Sequence, residues 1–394
     1  MGIMPPKRKP NHRSIVIVGA GLAGLACALA LRSRGCRVTL IGHPGNPGDT
    51  RTTALLDGSI DALARLGIDI PDHEAAAPLR VMAIVDATQR LLRARPIRFE
   101  AREIGLDAFG WNIPNGALAQ ALTAALAATD IDHIAGRLAG VEPGDEEVGL
   151  TLDGGEALTA DLVIAADGRN SIVREAAGIA TTRHDYPQTA LAVNLRIGRD
   201  HREVSTEFHT EAGPFTLVPL PGRRASLVWV MAPDKAEALE RMTDEELASA
   251  IERQSHALLG RIEIDSPRSF WPMTSIMADS YARRRIALVG EAAHVFPPIG
   301  AQGFNLTLRD ISALADAVAG RADPGSAPAL DAYARARSFD ASSRRSMVDL
   351  LNRSLLSGQV PLQGLRGLGL YALERIGPLR RAMMRQGLAR SVEH

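Results

Sequence analysis

The chain has 394 residues, of which 46% are hydrophobic and 23% charged, and its 45 basic side chains balance 45 acidic ones. This length predicts two packed domains rather than one core, and the composition is that of a globular protein, which excludes a disordered chain. A net charge of zero provides no overall attraction to nucleic acid, so no nucleic-acid partner is expected.

The thiol content and the apolar runs narrow the cellular setting. Cys27, in a predicted buried helix, and Cys36, at the turn after it, are too few for a thiol metal site and do not suggest a structural disulfide. This predicts a reducing cytoplasm. No apolar run reaches the roughly 18–20 residues of a membrane helix. Residues 1–13 are basic without the apolar stretch of a signal peptide, which predicts a disordered tail.

The first predicted elements form a parallel βαβ unit. They are a buried strand at Ser14–Val18, a glycine turn at Gly19–Gly24, a helix at Leu22–Arg34 and a strand at Arg37–Ile41. A helix is predicted next, at Thr53–Gly67.

The middle of the chain alternates between strand and helix patterns. The predicted elements are antiparallel strands within Leu79–Phe99, a helix at Asn112–Ala128, a strand at Asp161–Ala166, strands at Thr189–Ile197, Val204–His209, Pro214–Val218 and Ala225–Met231, and a helix at Thr243–Ser255 with a capping box of Thr243 and Glu246. A strand at Ile286–Val289 returns to the first fold, and the chain is mostly helical from Arg309 onward.

This interleaving predicts an α/β fold, with a doubly wound, Rossmann-like domain and a β-rich insertion that covers its ligand. The predicted nucleotide-binding domain is discontinuous and comprises residues 14–78, 101–185 and 280–345. The predicted substrate domain comprises residues 79–100 and 186–279, and residues 346–394 form a C-terminal helical region.

The glycine turn carries the pattern GxGxxG between a strand and a helix. Gly19 permits the tight turn, Gly21 lets the backbone approach a pyrophosphate, and Gly24 lets the helix pack closely on the strand. Because the flanking elements are the required ones, the motif predicts dinucleotide binding rather than a ligand-free turn.

An acid that should bind the ribose is missing, because Gly42 follows the second strand. The loss of this acid is compatible with NADP as the ligand, with His43 or Arg51 receiving the 2′-phosphate. It is equally compatible with a flavin dinucleotide whose adenosine is held elsewhere. Two interpretations stay open for Arg51. Its guanidinium could neutralise a pyrophosphate, or it could be a solvated surface group. Asp167, at the end of a strand and before Gly168, either faces a ligand or caps the following helix.

A second ligand loop lies about 270 residues after the first, within Ile286–Asp310. An apolar strand runs into Gly290-Glu291, then a Pro/Gly loop, then a helix that opens near Gln302. A helix start suits an anionic or electron-rich ligand. Two distant loops indicate one long cofactor held at both ends, which favours FAD over NADP.

These segments resemble the aromatic hydroxylase group of flavoprotein monooxygenases, and more closely its ubiquinone-biosynthesis (polyprenylphenol) hydroxylases. The stretches that carry the resemblance are Arg51-Thr-Thr-Ala-Leu, Trp111-Asn-Ile-Pro-Asn115, Phe215-Thr-Leu-Val-Pro-Leu-Pro, Pro298-Ile-Gly-Ala-Gln-Gly-Phe-Asn-Leu-Thr-Leu-Arg-Asp310 and Leu351-Asn-Arg-Ser-Leu-Leu. The resemblance implies that NAD(P)H reduces a bound FAD and that O₂ supplies a hydroxyl group to an aromatic ring.

The resemblance also implies a set of FAD-binding residues, while the sequence indicates no catalytic base and no metal site. The implied residues are Gly19, Gly21, Leu22, Ala23, Gly24, Arg51, Asn115, Gln120, Asp167, Gly290, Glu291, Pro298, Gly300, Ala301, Gln302, Gly303, Phe304 and Asn305. Asp167 is expected behind the flavin, and Gly300 to Asn305 are expected along the isoalloxazine. His294 is interpreted as a structural histidine bonded to backbone.

Four positions depart from the family pattern: Gly42 in place of the acid, Glu291 in place of Asp, and Ala301 and Thr307 in place of glycine. They are interpreted as tuning of FAD binding. They also motivate the hypothesis of a flavin-poor scaffold subunit in a quinone-biosynthesis complex. Two more hypotheses stay open, namely the same chemistry on a small soluble aromatic, and a flavin reductase or halogenase on this fold.

The C-terminal stretch Leu350–Arg390 is apolar and basic. It carries Arg366, Arg375, Arg380, Arg381, Arg385 and Arg390 against the single acid Glu374. Two interpretations stay open, which are contact with an anionic membrane surface or a partner protein, and packing on the protein's own core. A lipid-tailed substrate would favour the membrane or partner contact. The protein is therefore expected in the cytoplasm, and the first interpretation would bind it peripherally to the inner membrane face.

Overall fold

The computed structural model describes residues 12–88, 95–298, 303–337 and 377–388. The strands are β1 (His12–Val18), β2 (Val38–Ile41), β3 (Thr52–Leu56), β4 (Ala77–Pro78), β5 (Val81–Asp86), β6 (Ile97–Glu100), β7 (Gly110–Pro114), β8 (Asp132–Ile134), β9 (Leu138–Pro143), β10 (Val148–Leu152), β11 (Ala157–Ala165), β12 (Thr181–Ile197), β13 (Val204–Thr210), β14 (Gly213–Leu220), β15 (Arg224–Met231), β16 (Ile262–Ile264), β17 (Ser269–Ala278), β18 (Ala282–Arg283), β19 (Ile286–Leu288) and β20 (His294–Val295).

The described residues also form nine α-helices. They are α1 (Leu22–Ser33), α2 (Asp57–Ala64), α3 (Asn115–Ala127), α4 (Ile172–Ala176), α5 (Pro233–Glu240), α6 (Asp244–Gln254), α7 (Gly303–Val318), α8 (described over 327–337) and α9 (Gly377–Leu388). Short 3₁₀ helices span Ala101–Ile104 and Gly290–Ala292.

The first sheet has the strand order β18-β19-β11-β1-β2-β8, and β9 and β10 extend from β11. Neighbours from β19 to β8 pair in parallel, as the βαβ prediction requires. The segments 15–18 and 162–165 are buried at every residue and belong to one apolar core. The apolar helix α1 packs against α3 and α7 within the same core.

The second sheet has the order β20-β17-β12-β15-β14-β13-β5-β6 and is antiparallel except where β5 meets β13. One face packs on α5 and α6 and forms a separate apolar core that includes Leu191, Phe215 and Trp229. The predicted capping box of α6 is confirmed, since Thr243 and Glu246 each accept a hydrogen bond from the other's backbone N–H.

A small sheet of order β3-β7-β4 joins the two larger ones. The Asn112 side chain donates to the Pro219 carbonyl at 2.9 Å, and the Asn194 side chain donates to the Thr50 carbonyl at 2.8 Å. The first bond attaches β14 to β7 of the small sheet, and the second attaches β12 to the segment just before β3.

Two helix predictions are wrong at their starts. Residues of the predicted helix at Thr53–Gly67 first form β3, because the run Thr-Thr-Ala-Leu-Leu pairs with β7, and the helix begins only at Asp57. The predicted helix at Asn112–Ala128 begins after Pro114, because a residue before proline avoids the helical conformation and the segment Gly110–Pro114 pairs with β3 and β4 instead. The strand prediction at Asp161–Ala166 was short, since β11 starts at Ala157.

Only a twelve-residue part of the predicted C-terminal region is described, as α9. Met384 is buried with Phe99 and Phe109, and the Arg380 guanidinium pairs with Glu103 and lies over the Phe99 ring. In this segment the interpretation of packing on the protein's own core is confirmed. The stretch Leu351–Leu356 and the residues Arg366, Glu374, Arg375 and Arg390 lie outside the described residues.

Candidate active site

A large cleft opens where the carboxyl ends of β1, β11 and β19 face the second sheet. Its volume is about 690 Å³, within the range of roughly 300–1,000 Å³ that is usual for small-molecule and cofactor sites. One wall comes from the glycine turn and the segments after β11 and β19, and the opposite wall comes from β12, β15 and β17. A position beyond the carboxyl ends of parallel strands is where α/β sheets bind nucleotides.

The glycine turn is shaped by backbone packing. A Cβ added at Gly24 would lie 1.7 Å from the carbonyl oxygen of Gly19, and one added at Gly19, whose φ is +107°, would lie 2.3 Å from the carbonyl oxygen of Ala166. Gly21 differs, because it lines the cleft and an added Cβ would meet no atom within 4 Å. The turn therefore presents bare backbone to open space at its middle glycine, as an approach to a pyrophosphate needs.

The second loop is fixed by a buried ionic cluster centred on Asp310. The carboxylate accepts a hydrogen bond from the Gly290 backbone N–H at 3.1 Å and one from Nε of Arg337 at 2.7 Å, and Nε2 of His294 lies 2.6 Å from Oδ2. His294, Asp310 and Arg337 are all buried. The prediction that His294 bonds to backbone is thus wrong for Nε2, because its partner is the Asp310 carboxylate. His294 also lines the cleft.

The segment after β11 is tied to the second loop by Arg174. Its guanidinium donates to the carbonyl oxygens of Ala292 and Arg169, both at 3.0 Å. Asp167 points toward the start of α4, where Oδ2 accepts from the Val173 N–H at 3.4 Å. Burial raises the pKa of Asp167, although hydrogen bonds from Ser171 and the first turn of α4 oppose the rise. Within the described parts of the chain, no donor reaches Oδ1 of Asp167, which is buried.

Two ion pairs line the cleft. Arg51 donates from Nε to Oδ1 of Asp49 at 2.8 Å, and Nε of Arg169 lies 3.2 Å from Oε2 of Glu291. Burial alone would raise the pKa of Asp49, but the hydrogen bonds from Arg51 and Asn115 outweigh it and the pKa is lowered. The Asp49 hydrogen bond in turn raises the pKa of Arg51.

The opposite wall is largely apolar. Val193, Leu227, Val228, Trp271 and Met273 line it, and hydroxyl groups border it at Ser226, Ser269 and Thr274. This wall offers mostly apolar side chains with a few hydroxyl groups, which suits an aromatic ring.

Of the eighteen residues implied by the resemblance, nine line the cleft, six are described but do not line it, and three lie outside the described residues. The six that do not line it are Gly19, Gly24, Gln120, Asp167, Gly290 and Asn305. Those that line the cleft are Gly21, Leu22, Ala23, Arg51, Asn115, Glu291, Pro298, Gly303 and Phe304. Gln120 is exposed on α3 and does not line it. Asn305 is directed at β3, since its side chain accepts from the Leu56 N–H at 2.9 Å and donates to the Ala54 carbonyl at 2.8 Å.

Three of the implied residues, Gly300, Ala301 and Gln302, lie outside the described residues. Two of the departures from the family pattern are explained by close contacts. Gly42 has φ +147°, and a Cβ there would lie 2.6 Å from the Ala20 nitrogen, so this backbone has no room for an acidic side chain. Thr307 lines the cleft and lies against Gly290, where an added Cβ would meet its Oγ1 at 3.1 Å.

Comparisons with known proteins agree with this geometry. The family model described as "FAD binding domain" matches residues 12–343. The chain is 32% identical to "Ubiquinone hydroxylase UbiL" of Rhodospirillum rubrum, over 95% of this chain and 89% of that protein. It is also 32% identical to "3-demethoxyubiquinol 3-hydroxylase" of Escherichia coli, over 95% of this chain and 98% of that protein.

The chain belongs to the ubiquinone hydroxylase family of FAD-dependent monooxygenases. A solved structure, p-nitrophenol 4-monooxygenase PnpA from Pseudomonas putida, shares the fold with a TM-score of 0.80 at 18% identity, over 98% of this chain and 100% of that one. The hydroxylase described here is therefore an enzyme that uses FAD. The predicted α/β aromatic-hydroxylase fold, the family and the cofactor are confirmed.

The cleft of this hydroxylase fits FAD on two observations. Open space lies beside the bare backbone of Gly21, and the cleft volume of about 690 Å³ is within the range of cofactor sites. The sequence alone indicated no role for Asp49, Arg169, Asp310 or Trp271. Charged and aromatic residues are common in such a chain, and only the folded structure shows which of them contact one another or line the cleft.

Proposed function

We propose that this enzyme hydroxylates the aromatic ring of a polyprenylated phenol or quinol in ubiquinone biosynthesis, with NAD(P)H and O₂ as co-substrates. The observation that carries the proposal is the 32% identity, over 95% of this chain, to a protein named as a ubiquinone hydroxylase and to one named as a 3-demethoxyubiquinol 3-hydroxylase. The apolar wall that includes Val228, Trp271 and Met273 supports an aromatic substrate.

The residues proposed to hold FAD are those that the family resemblance implies. Gly19, Gly21, Leu22, Ala23 and Gly24 would contact the pyrophosphate, Arg51 and Asn115 would lie along the dinucleotide with Gln120 as a further contact, and Asp167, Gly290, Glu291, Pro298, Gly303, Phe304 and Asn305 would surround the flavin half. Asn305 would act by positioning β3, given its bonds to Ala54 and Leu56.

FAD, when bound, would supply the redox chemistry that couples NAD(P)H oxidation to hydroxylation, with one oxygen atom of O₂ entering the ring and the other leaving as water. The chain's contribution is to orient the ring and exclude water. The apolar wall removes water from the ring's surroundings, which strengthens every electrostatic interaction in the site. The start of α7, next to the cleft at Gly303 and Phe304, provides a partial positive charge for developing negative charge on a ligand.

Quinone profiling of a deletion strain tests the substrate. An accumulated intermediate that lacks one hydroxyl would identify both the substrate and the ring position, and restoration by the wild-type gene would be the control. Unchanged quinones would reject the ubiquinone role and favour a small soluble aromatic as substrate. NAD(P)H oxidation without a hydroxylated product would point to a reductase or halogenase.

A peripheral contact with the cytoplasmic face of the inner membrane is proposed for the exposed side of α9. None of the described helices is long and apolar enough to span a bilayer. Arg381 and Arg385 are exposed one turn apart, while Met384 and Arg380 hold the other side on the core. Each basic residue near an anionic lipid surface contributes about 1 kcal/mol.

Flotation with anionic liposomes tests this contact. The R381Q/R385Q double variant should float less than wild type, and a truncation after Gly358 should float least. An R241Q/R253Q variant, altered at exposed arginines of another region, is the matched control. Equal flotation of all four proteins would remove the membrane contact.

A further inference from the structure

Two hydroxyl groups lie in contact where the small sheet meets the second sheet. Thr52, the first residue of β3, and Ser226, on β15, both line the cleft, and their Oγ atoms are 2.9 Å apart. Ser226 is buried, with 3% of its surface exposed, and Thr52 is half-buried. The pair therefore places two hydroxyl groups at a single point of the site.

The side chain of Asn112 fixes the hydrogen bonding of this pair. Its amide nitrogen lies 2.9 Å from the Pro219 carbonyl oxygen and 3.2 Å from Oγ of Ser226. A carbonyl oxygen only accepts, so the atom that contacts Pro219 must be the NH₂ group and not the amide oxygen. The amide therefore donates one hydrogen to Pro219 and the other to Ser226, whose Oγ accepts.

The pair has one hydrogen-bond donor more than it uses. Each hydroxyl carries one hydrogen and two acceptor lone pairs. Only one hydrogen can occupy the contact between Thr52 and Ser226, whichever of the two donates. The other hydrogen has no acceptor in the part of the chain that the structure describes, because the two hydroxyls make no further bond there. One donor of the pair is therefore free for a ligand in the cleft.

Most other hydroxyl groups of the cleft already donate to the chain. Their acceptors are carbonyl or amide oxygens, and the residues concerned are Thr53, Ser266, Thr274 and Thr307. Thr50 and Ser269 have no acceptor among the described residues, but both are half-buried, so water can satisfy them. Ser226 is nearly sealed from water, and a buried donor without an acceptor is unfavourable. A ligand oxygen at the pair therefore supplies what water does not.

The surroundings of the pair indicate a ring that carries an oxygen substituent. Ser226 and Val228 point to the same face of β15, and Ala192 of β12 is directly opposite Val228. One donor beside apolar side chains recognises a group with an apolar body and one acceptor, as a phenol has. Ser226 stands on the wall opposite the glycine turn and the segments after β11 and β19, so the substrate rather than the dinucleotide is its expected partner.

We propose that Thr52 and Ser226 form one donor site that binds a ring oxygen of the substrate and sets the preference for phenols over ring hydrocarbons. The inference rests on the proposed hydroxylation of a polyprenylated phenol. Because either hydroxyl can supply the free hydrogen, loss of one residue leaves a donor in place and loss of both removes it. A pair with a purely structural role would show no dependence on the oxygen of the ligand.

The test compares two probes that differ in one oxygen atom, 2-prenylphenol and prenylbenzene. Equilibrium dialysis against the FAD-loaded full chain gives the dissociation constant of each probe for wild type, T52V, S226A and T52V/S226A. In the double variant the preference for the phenol over the hydrocarbon should fall about fivefold, the size of one neutral hydrogen bond. In each single variant the preference should stay within about twofold of wild type, and prenylbenzene should bind all four proteins equally.

The matched control is T123V/S255A. It removes one half-buried and one buried hydroxyl, each bonded to a carbonyl oxygen of its own helix and neither lining the cleft. FAD titration and thermal melting of the apo-protein are measured for every variant. An equal loss for both probes, an unchanged preference in T52V/S226A, or weaker FAD binding without a change of preference would overturn the inference.

The fate of the donor site and the fate of the substrate proposal are distinguishable. A lost preference in the double variant with unchanged cellular quinones would retain the donor site and reject the ubiquinone role. An unchanged preference with an accumulated quinone intermediate would retain the ubiquinone role and reject the donor site.

Discussion

The two ligand loops of this hydroxylase are held in place by different means. The glycine turn Gly19–Gly24 is fixed by backbone packed on backbone, with no space for a side chain at Gly24. The loop from Gly290 to His294 is fixed by a buried cluster in which one carboxylate, Asp310, holds three partners. The first arrangement fails when an atom is added, and the second fails when one is removed.

Removal of the Asp310 carboxylate should give the largest effect. D310A would leave Arg337 buried without its carboxylate and release the Gly290 N–H, and breaking a buried ion pair costs roughly 3–5 kcal/mol. Urea unfolding of the apo-protein should show this loss, and FAD affinity should fall as well. D310N keeps the shape and some hydrogen bonds, so its loss should be smaller. A loss below about 1 kcal/mol in D310A would show that the cluster does not fix the loop.

This difference between the loops explains which features the sequence revealed. The glycine turn was predicted residue by residue, because its function depends on the absence of side chains, and glycine spacing shows that directly. The role of Asp310 was not predicted, although the residue ends the segment that indicated FAD. Its partners Gly290, His294 and Arg337 lie 16 to 27 residues away along the chain, and no local pattern indicates which charges will meet.

The same limit applies to the fold. Buried parallel strands and the capped helix α6 follow from local patterns, and both were predicted. Strand β3 was missed, because Thr52–Leu56 forms a strand only through pairing with β7, which is more than 50 residues away. The β-rich insertion was predicted to cover the ligand, but none of its cleft-lining residues was identified, since Trp271 reaches the cleft only after β17 pairs with β12.

Addition of one methyl group at Gly24 should give the next largest effect. G24A places a Cβ 1.7 Å from the Gly19 carbonyl oxygen, so the turn and α1 must separate. Overpacking of this kind costs typically about 1–3 kcal/mol. Unfolding in urea should show the loss, and the FAD dissociation constant should rise because the turn is distorted. Unchanged stability would mean that α1 shifts at little cost and that backbone packing does not define the turn.

The same methyl group at Gly21 should leave the stability of the apo-protein nearly unchanged and mainly weaken FAD binding. G21A meets no atom within 4 Å, so the apo-protein should unfold at nearly the same urea concentration as wild type. The methyl group would project into the cleft and keep a pyrophosphate from the backbone, so FAD affinity should fall by about tenfold or more, the loss of roughly one hydrogen bond to a charged group. Equal FAD affinity in G21A and wild type would place the pyrophosphate elsewhere.

The smallest expected effect concerns Asp167, which lies between the two loops. Burial raises its pKa in the folded protein, partly opposed by hydrogen bonds from Ser171 and the start of α4. The stability linked to this group is fully present below the unfolded value of about 3.9 and is lost as the pH rises through the folded value. D167N removes that loss, so its melting temperature relative to wild type should rise as the pH increases from about 4 to 8.

Asp323 provides a control of opposite sign. Its bidentate hydrogen bonds from Arg285, at 2.7 and 2.8 Å, lower its pKa. The stability linked to Asp323 is therefore present above the unfolded pKa and is lost as the pH falls through the folded value. D323N should accordingly be less stable than wild type by a nearly constant amount over this window, and the difference should shrink only as the pH falls below about 4. A D167N profile as flat as that of D323N between pH 4 and 8 would show that burial does not control Asp167, whereas a rise confined to D167N would show that this carboxylate is held in the fold against its own desolvation.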